Sequence, residues 1–130
     1  MDKAERWGYK PAPMRPLHHP HARDITVEGL LHALADPVRA RIYASLAQST
    51  EALSCSAFLG DPGPALPKST LSHHFKVLRE AGLIRSERRG VEMRNVSRCA
   101  EIEQRFPGLL PAIRAAFGQQ RSRAKRSRRT

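Results

Sequence analysis

Aromatic side chains and cysteines are scarce in this chain of 130 residues, and each shortage excludes a class of protein. Phenylalanine, tryptophan and tyrosine make up 5% of the residues, which disfavours a stacking platform for single-stranded nucleic acid. The two cysteines, Cys55 and Cys99, are too few for a disulfide scaffold and lack the paired spacing of a metal site. This cysteine usage predicts a reducing, cytoplasmic setting.

Long apolar runs and catalytic constellations are also missing. No run approaches the roughly 18 to 20 apolar residues that span a bilayer, and residues 1–20 lack the apolar stretch of a secretory signal. No nucleophile–base pair, acid pair, phosphate loop or metal cluster has usable spacing. We therefore expect a protein that is not an enzyme, needs no cofactor and does not bind membranes.

Positive charge is what the chain has in excess. The formal net charge is +11, and cationic proteins are attracted to polyanions such as nucleic acid. The last ten residues, RSRAKRSRRT, contain six lysines or arginines and no acid. We predict a disordered basic tail over residues 119–130, which attracts phosphates nonspecifically, and a flexible proline-rich arm over residues 1–23.

Apolar periodicity predicts a helical domain over residues 24–118. In its first segment the apolar residues recur on one helical face, and Asp24 or Thr26 can cap that helix. Asp36 followed by Pro37 marks the start of a second helix, since aspartate caps well and proline suits the first helical position. A third, shorter helix is predicted within residues 50–59, before the loop GDPGPALP.

The segment STLSHHFKVLREAG predicts the clearest helix, with Ser69 as N-cap and Gly82 as its end. Its outer face is short, polar and basic, which suits a helix that enters a major groove about 12 Å wide. Adjacent residues on a helix point about 100° apart, so His73 and His74 cannot easily chelate one metal ion. We expect DNA contact or packing instead, with His73 facing outward and His74 nearer the core face. Residues 83–97 then predict two short strands joined at Arg89 and Gly90, with arginines at the tip.

A polar-faced helix followed at once by an arginine-tipped hairpin is typical of winged helix-turn-helix proteins. The stretches HALADPVRARIYASLAQ, STLSHHFKVLREAGLIRSERRG and VEMRNVS resemble the ArsR/SmtB family of bacterial repressors over residues 26–98. The resemblance implies a mainly α fold with a small β-hairpin (α+β), a recognition helix at 68–81 and a wing at 83–97. It also implies a homodimer built from the first and last helices, repression of a nearby operon and release by an inducer.

The predicted DNA contacts divide by role on a two-fold symmetric double-stranded operator. Direct reading of bases is assigned to Ser69, Ser72, His73 and Lys76. Contacts with phosphates or the minor groove are assigned to Lys68, Thr70, Arg88, Arg89 and Arg94.

The predicted dimer interface is apolar, because a terminal apolar helix in so small a domain lacks enough partners within its own chain. It comprises Leu30, Leu31, Leu109, Leu110, Ile113 and Phe117.

The sequence leaves the identity of the inducer open among a metal, a thiol oxidant, a small organic molecule and no inducer at all. Metal-sensing relatives carry a Cys-x-Cys pair where this chain has LSCSAFL, and residues 101–117 contain no histidine, so we predict no metal site. Cys55 and Cys99 are candidates for a redox switch, although free cysteines are usually small buried hydrophobes. The cluster His18, His19 and His21 has ligand chemistry for zinc or nickel, but histidines in a flexible arm usually bind nothing.

Two other functions fit parts of the sequence. One is a nonspecific nucleic-acid-binding, architectural protein driven by the basic tail. The other is a protein-interaction module that keeps the fold without a DNA role.

Overall fold

The structure is a computed structural model, and it describes residues 17–49, 51–54 and 66–129. Within these residues the chain forms five α-helices and one three-stranded antiparallel sheet, so the predicted α+β class is confirmed. None of the helices in this part of the chain is long and apolar enough to cross a membrane. The elements in chain order are α1 (Val27–Leu34), α2 (Pro37–Gln48), β1 (Leu53–Ser54), α3 (Lys68–Glu80), β2 (Ile84–Arg89), β3 (Glu92–Ser97), α4 (Cys99–Arg105) and α5 (Leu109–Arg129).

The first two helices begin at capping residues that the sequence predicts. The Thr26 hydroxyl accepts a hydrogen bond from the Gly29 amide at 3.0 Å, and this caps α1. Asp36 Oδ1 accepts from the amides of Val38 and Arg39 at 2.8 and 3.1 Å, with Pro37 as the first residue of α2. Each such cap stabilises the fold by about 1 kcal/mol, because it satisfies amides that have no partner inside the helix.

The N-terminus of α3 differs from the prediction. Ser69 is not the cap, since Pro67 holds that position and the Leu71 amide donates to the Pro67 carbonyl at 3.0 Å. Proline lacks an amide and has its φ preset, so the helix starts one residue before Ser69 without a side-chain cap. Ser69 is thereby an exposed residue of the first turn.

The hydrophobic core lies between α1, α2, α3 and the base of the sheet, and one residue each from α4 and α5 closes it. The spacing of Leu71, Phe75 and Leu78 puts one face of α3 into this core, as predicted. Burying each such side chain contributes about 1.5 to 3 kcal/mol. The other core members are Ile25, Leu30, Ala33, Leu34, Ile42, Tyr43, Leu46, Leu83, Ile84, Ile102 and Leu110.

The sheet has the strand order β1-β3-β2, and β2 and β3 form the predicted hairpin. Its register runs from Ile84 opposite Ser97 to Arg89 opposite Glu92, and Gly90 turns the chain with a φ of +62°. Glycine fits here because side chains disfavour positive φ.

The structure corrects the predicted third helix, since Leu53 and Ser54 form strand β1 instead. Leu53 lies opposite Asn95, which is fully buried and whose amide nitrogen donates to the Leu53 carbonyl at 3.1 Å. Asn95 Oδ1 also accepts from the Ser86 hydroxyl at 2.7 Å, so this one side chain links all three strands. Thr50 and residues 55–59, which also belong to the segment of the predicted helix, lie outside the described residues.

Both predicted terminal segments need correction where the structure describes them. Residues 119–129 are not disordered but continue helix α5, because a helix already started by residues 109–118 extends through good helix formers such as Arg, Lys, Gln and Ala. Residues 17–23 are not a free arm, since they hydrogen-bond to the domain and lead into the 3₁₀ turn Ala22–Asp24. Residues 1–16 lie outside the described part.

Gly82 is a position where the backbone and the packing both require glycine. Its φ is +88°, and an added Cβ would lie 2.5 Å from the side chain of Ile25. We expect Gly82→Ala to lower the free energy of unfolding by about 3 kcal/mol, through backbone strain and the clash together. Gly90→Ala is the matched control, because its φ is also positive and nothing lies within 4 Å, so about 1 kcal/mol is expected. Urea unfolding measures both, and equal losses would contradict the role of Ile25.

Candidate nucleic-acid interface

The outward face of α3 is formed by small polar and basic side chains. Lys68, Ser69, Ser72, His73 and Lys76 are exposed, and Thr70 is half-buried. His74 is 8% exposed and faces the core, so the predicted orientation of the two histidines is confirmed. Because the apolar face of α3 is held in the core, the polar face is presented to solvent in a fixed orientation.

The wing presents its arginines at the tip of the hairpin. Arg88, Arg89 and Arg94 are all exposed, as the sequence predicts. Arg89 Nε lies 3.4 Å from Glu87 Oε1, and both side chains are more than half exposed. An ion pair in water contributes little, so Glu87 does not prevent Arg89 from contacting another anion.

A groove of about 690 Å³ separates α3 from the wing and brings four of the predicted DNA contacts together. Lys68, Ser72 and Lys76 line its helix side, and Arg88 lines its wing side. The other predicted contacts, Ser69, Thr70, His73, Arg89 and Arg94, lie outside this lining. Four of the lining residues are basic and one is acidic, so the groove has a positive potential.

Arg79 is the basic groove residue that the sequence prediction missed. It follows Ser72 and Lys76 at spacings of seven and three residues, which is the same face of the helix. Its Nε atom is buried and has no hydrogen-bond partner among the described residues. That spacing was visible in the sequence, and extending the basic face by one turn would have included Arg79.

The base of the wing is held by the buried side chain of Arg98. Its guanidinium makes a bidentate pair with Glu101, Nε to Oε2 at 2.8 Å and Nη2 to Oε1 at 3.1 Å. Hydrogen bonding from Arg98 lowers the pKa of Glu101, with Arg85 contributing charge. The third contact of the guanidinium is Nη1 to the Pro20 carbonyl at 2.9 Å, which ties the wing to the N-terminal segment.

The histidines near the N-terminus have separate roles in the structure. His19 Nε2 accepts a hydrogen bond from the Ser86 amide at 2.9 Å, and His21 Nδ1 accepts from the Arg23 amide at 3.2 Å. Burial and the nearby arginines 85, 79 and 98 lower the pKa of His19, which keeps the ring neutral and able to accept. In the part of the chain that is described, no three potential metal ligands come together.

The predicted redox pair is described only at Cys99. This thiol is half-buried, and its Sγ atom accepts a hydrogen bond from the Ser97 hydroxyl at 3.3 Å. Cys55 lies outside the described residues, so the pair stays a prediction.

The six predicted interface residues divide into three groups. Leu30 and Leu110 are buried in the core of their own chain, which leaves them no surface for a partner. Leu109, Ile113 and Phe117 are half-buried and pack beside that core. Leu31 is 48% exposed and lies on the outer side of α1. Leu30 and Leu31 both belong to the apolar pattern that predicts α1. Only the packing of the folded chain decides that Leu30 is buried and Leu31 stays exposed.

A three-helix core with an outward polar helix, followed by an arginine-tipped hairpin, defines the winged helix-turn-helix class. Comparisons with known proteins agree with this class. The family model described as a helix-turn-helix domain matches residues 34–87. That segment includes α2, α3 and the start of the wing.

A solved structure provides the second comparison. The chain is similar to the ArsR-like transcriptional regulator from Rhodococcus sp. RHA1, with 24% sequence identity and a TM-score of 0.50. The match covers 76% of this chain and 89% of that one. No curated protein sequence matches the chain. The family-model match and the structural similarity thus confirm the predicted winged helix-turn-helix fold.

Two histidines make the stability of the domain depend on pH. Burial lowers the pKa of His74, against the opposing charge of Asp36, and the pKa of His19 is lowered as well. The unfolded chain takes up these protons near pH 6.5, whereas the folded chain does so only at lower pH. The contribution of the two neutral histidines to the free energy of unfolding is therefore fully present above pH 6.5. It is lost as the pH falls towards their lower pKa values in the folded chain.

We expect the free energy of unfolding to decrease between about pH 7 and pH 5.5. Urea titrations across this range should show a shallower decrease in the double variant His19→Gln/His74→Gln. The exposed His18→Gln serves as control and should keep the slope of the native chain. An unchanged slope in the double variant would assign the pH dependence to other groups.

Proposed function

We propose that this protein is a sequence-specific, double-stranded-DNA-binding transcriptional regulator that acts as a cytoplasmic homodimer. The observation that carries the proposal is the basic groove between α3 and the wing. Its helix wall, with Lys68, Ser72 and Lys76, belongs to a rigidly packed helix, and its opposite wall ends in Arg88. A helix beside a basic wing fits a duplex, because the helix enters a groove while the wing reaches the flanking backbone.

The outward face of α3 reads bases in this proposal. Ser69, Ser72 and His73 are small or flat enough to let the helix approach base edges, and Lys76 suits guanine. Lys68, Thr70 and the wing arginines hold phosphates or the adjacent minor groove. Arg79 adds a cation deep in the groove, where it strengthens attraction to the backbone.

Dimerisation through α1 and α5 completes the proposed regulator. Four members of the predicted interface keep apolar surface that a partner can still cover: Leu31, Leu109, Ile113 and Phe117. A two-fold dimer places two α3 helices in successive major grooves, about one helical turn or a multiple of it apart. Such a dimer represses by occupying an operator, and an unidentified small-molecule or redox inducer releases it.

The first experiment measures binding of the full chain to its own upstream DNA and to random DNA across a salt series. A preference of about 10³ or more that survives moderate salt is expected for a specific regulator. Lys76→Ala should weaken operator binding, and His73→Ala should relax base preference, each by about 1 to 3 kcal/mol. Lys125→Ala is the charge-matched control on the exposed end of α5, and it should leave base preference unchanged.

The second candidate function is nonspecific binding driven by α5. Its end carries exposed cations at Arg121, Arg123, Lys125 and Arg126, which form a helical basic surface. This function predicts equal affinity for both DNAs, a steep loss with salt, and a larger effect of Lys125→Ala than of Lys76→Ala. That result would reject the operator-binding proposal.

The proposed dimer is tested at Leu31. A lysine there places a charge in an interface that should be apolar, so we expect Leu31→Lys to raise the dimer dissociation constant at least tenfold, about 1.4 kcal/mol or more. Val91→Lys is the control, because Val91 is fully exposed at the wing tip. Sedimentation velocity over a concentration series separates the two, and equal behaviour would move the interface away from α1.

A further inference from the structure

The groove between α3 and the wing has apolar walls as well as basic ones. Leu17 from the N-terminal segment and Met93 from β3 line it, and both side chains are half-buried. Val91 lines it at the turn of the hairpin and is fully exposed, and Leu71 and Phe75 line it from α3. Sugars and phosphates of a duplex offer these apolar side chains little, whereas the walls of small-molecule sites are mostly apolar.

The guanidinium of Arg79 provides an anchor for one anionic group in this groove. Its Nε atom is buried and has no hydrogen-bond partner among the described residues. A buried donor without a partner is unfavourable, so an acceptor that a ligand brings to Arg79 gains more than one in open solvent. A carboxylate suits this position, because its two oxygens match two parallel N–H donors of a guanidinium.

The other charges of the groove also favour an anion. Lys68, Lys76 and Arg88 join Arg79 in the lining, against Glu92 as the acid among the described lining residues. Within the described ranges, none of the four cations forms an ion pair with a carboxylate. The groove therefore attracts a ligand with a negative charge and gives a neutral one no such advantage.

The size of the groove separates an organic anion from an inorganic one. Its volume of about 690 Å³ lies within the range of about 300 to 1,000 Å³ that is usual for small-molecule sites. Inorganic phosphate would fill a small part of it and gain nothing from the apolar walls. A molecule with an apolar body and one carboxylate uses both kinds of wall.

We propose that the groove also binds a small organic acid, whose carboxylate pairs with Arg79 and whose apolar body contacts Leu17 and Met93. This inference rests on the proposed function, since it makes the organic acid an inducer that competes directly with the operator. The bound acid occupies the space between Lys76 and Arg88, which the duplex also needs. Binding of one excludes the other, and the operator is released without a change of fold.

The first experiment is isothermal titration calorimetry of the full chain with 4-phenylbutyrate as the probe and 4-phenylbutanol as its uncharged match. We expect the acid to bind at least tenfold more tightly than the alcohol, because hydrogen bonds with a charged group are the stronger ones. Decanoate and decanol repeat the comparison with an aliphatic body. If neither acid binds more tightly than its alcohol, the site is overturned. Acetate that binds as tightly as 4-phenylbutyrate would assign the binding to charge alone and overturn it too.

Two variants assign the binding to the groove. Arg79→Gln removes the anchoring charge and should weaken binding of 4-phenylbutyrate at least tenfold, while Arg79→Lys keeps the charge and should recover part of the loss. Met93→Gln makes an apolar wall polar and should weaken binding about 3- to 10-fold. The matched controls are Arg123→Gln on α5 and Val96→Gln on β3, both exposed and outside the groove. Equal losses in the controls would place the ligand elsewhere.

Competition with DNA tests the inducer role. Operator affinity is measured at increasing 4-phenylbutyrate, with sodium acetate at the same concentration as the control for salt. Simple competition raises the apparent Kd for the operator tenfold when the acid is at about nine times its own Kd. Met93→Gln should need a 3- to 10-fold higher concentration of the acid for the same displacement, in about the proportion by which its affinity for the acid falls. An acid that binds without displacing the operator would overturn the competition.

Failure of this inference is distinguishable from failure of the proposed function. Specific operator binding that neither acid affects overturns the inference and leaves the regulator supported. Equal affinity of the chain for operator and random DNA overturns the proposed function, and the inducer role fails with it even if 4-phenylbutyrate binds at Arg79.

Discussion

The buried guanidinium of Arg98 is the interaction on which the geometry of the domain depends. At 4% exposure it would carry a large desolvation cost, yet Glu101 and the Pro20 carbonyl satisfy it from two sides. The backbone amide of Arg98 also donates a hydrogen bond to the carbonyl of Leu83 at 2.8 Å, directly before β2 begins. One side chain therefore joins the wing, α4 and the N-terminal segment, and removing either partner would leave a buried charge unpaired.

The hydrophobic core imposes a second constraint, which determines the orientation of α3. Any large rotation of α3 would expose the buried side chains of Leu71, Phe75 and Leu78 to water. The helix can therefore rotate very little. Ser72 and Lys76 consequently face Arg88 across the groove. The arrangement is suited to a rigid polyanion such as a duplex, because pre-oriented side chains lose little entropy on binding.

Much of this fold and site could be predicted from local patterns. The start of α2 at Asp36 and Pro37, the turn at Gly90 and the exposed polar face of α3 each depend on residues close together in the chain. The short strand β1 could not be predicted in this way, because Leu53 is held by Asn95, 42 residues later. Arg79 lies about one helical turn beyond Lys76, at which the predicted basic face ends, although its spacing follows the same local pattern.

By itself the sequence determined the periodicity of the helices, the caps, the hairpin and the excess of positive charge, because these follow from neighbouring residues. Only the tertiary structure decided that Leu30 belongs to the core while Leu31 keeps 48% of its surface exposed. It also decided that His19 docks on Ser86, 67 residues away, so that the N-terminal segment leads to the groove. Such contacts depend on how distant elements pack, and no local pattern in the chain encodes them.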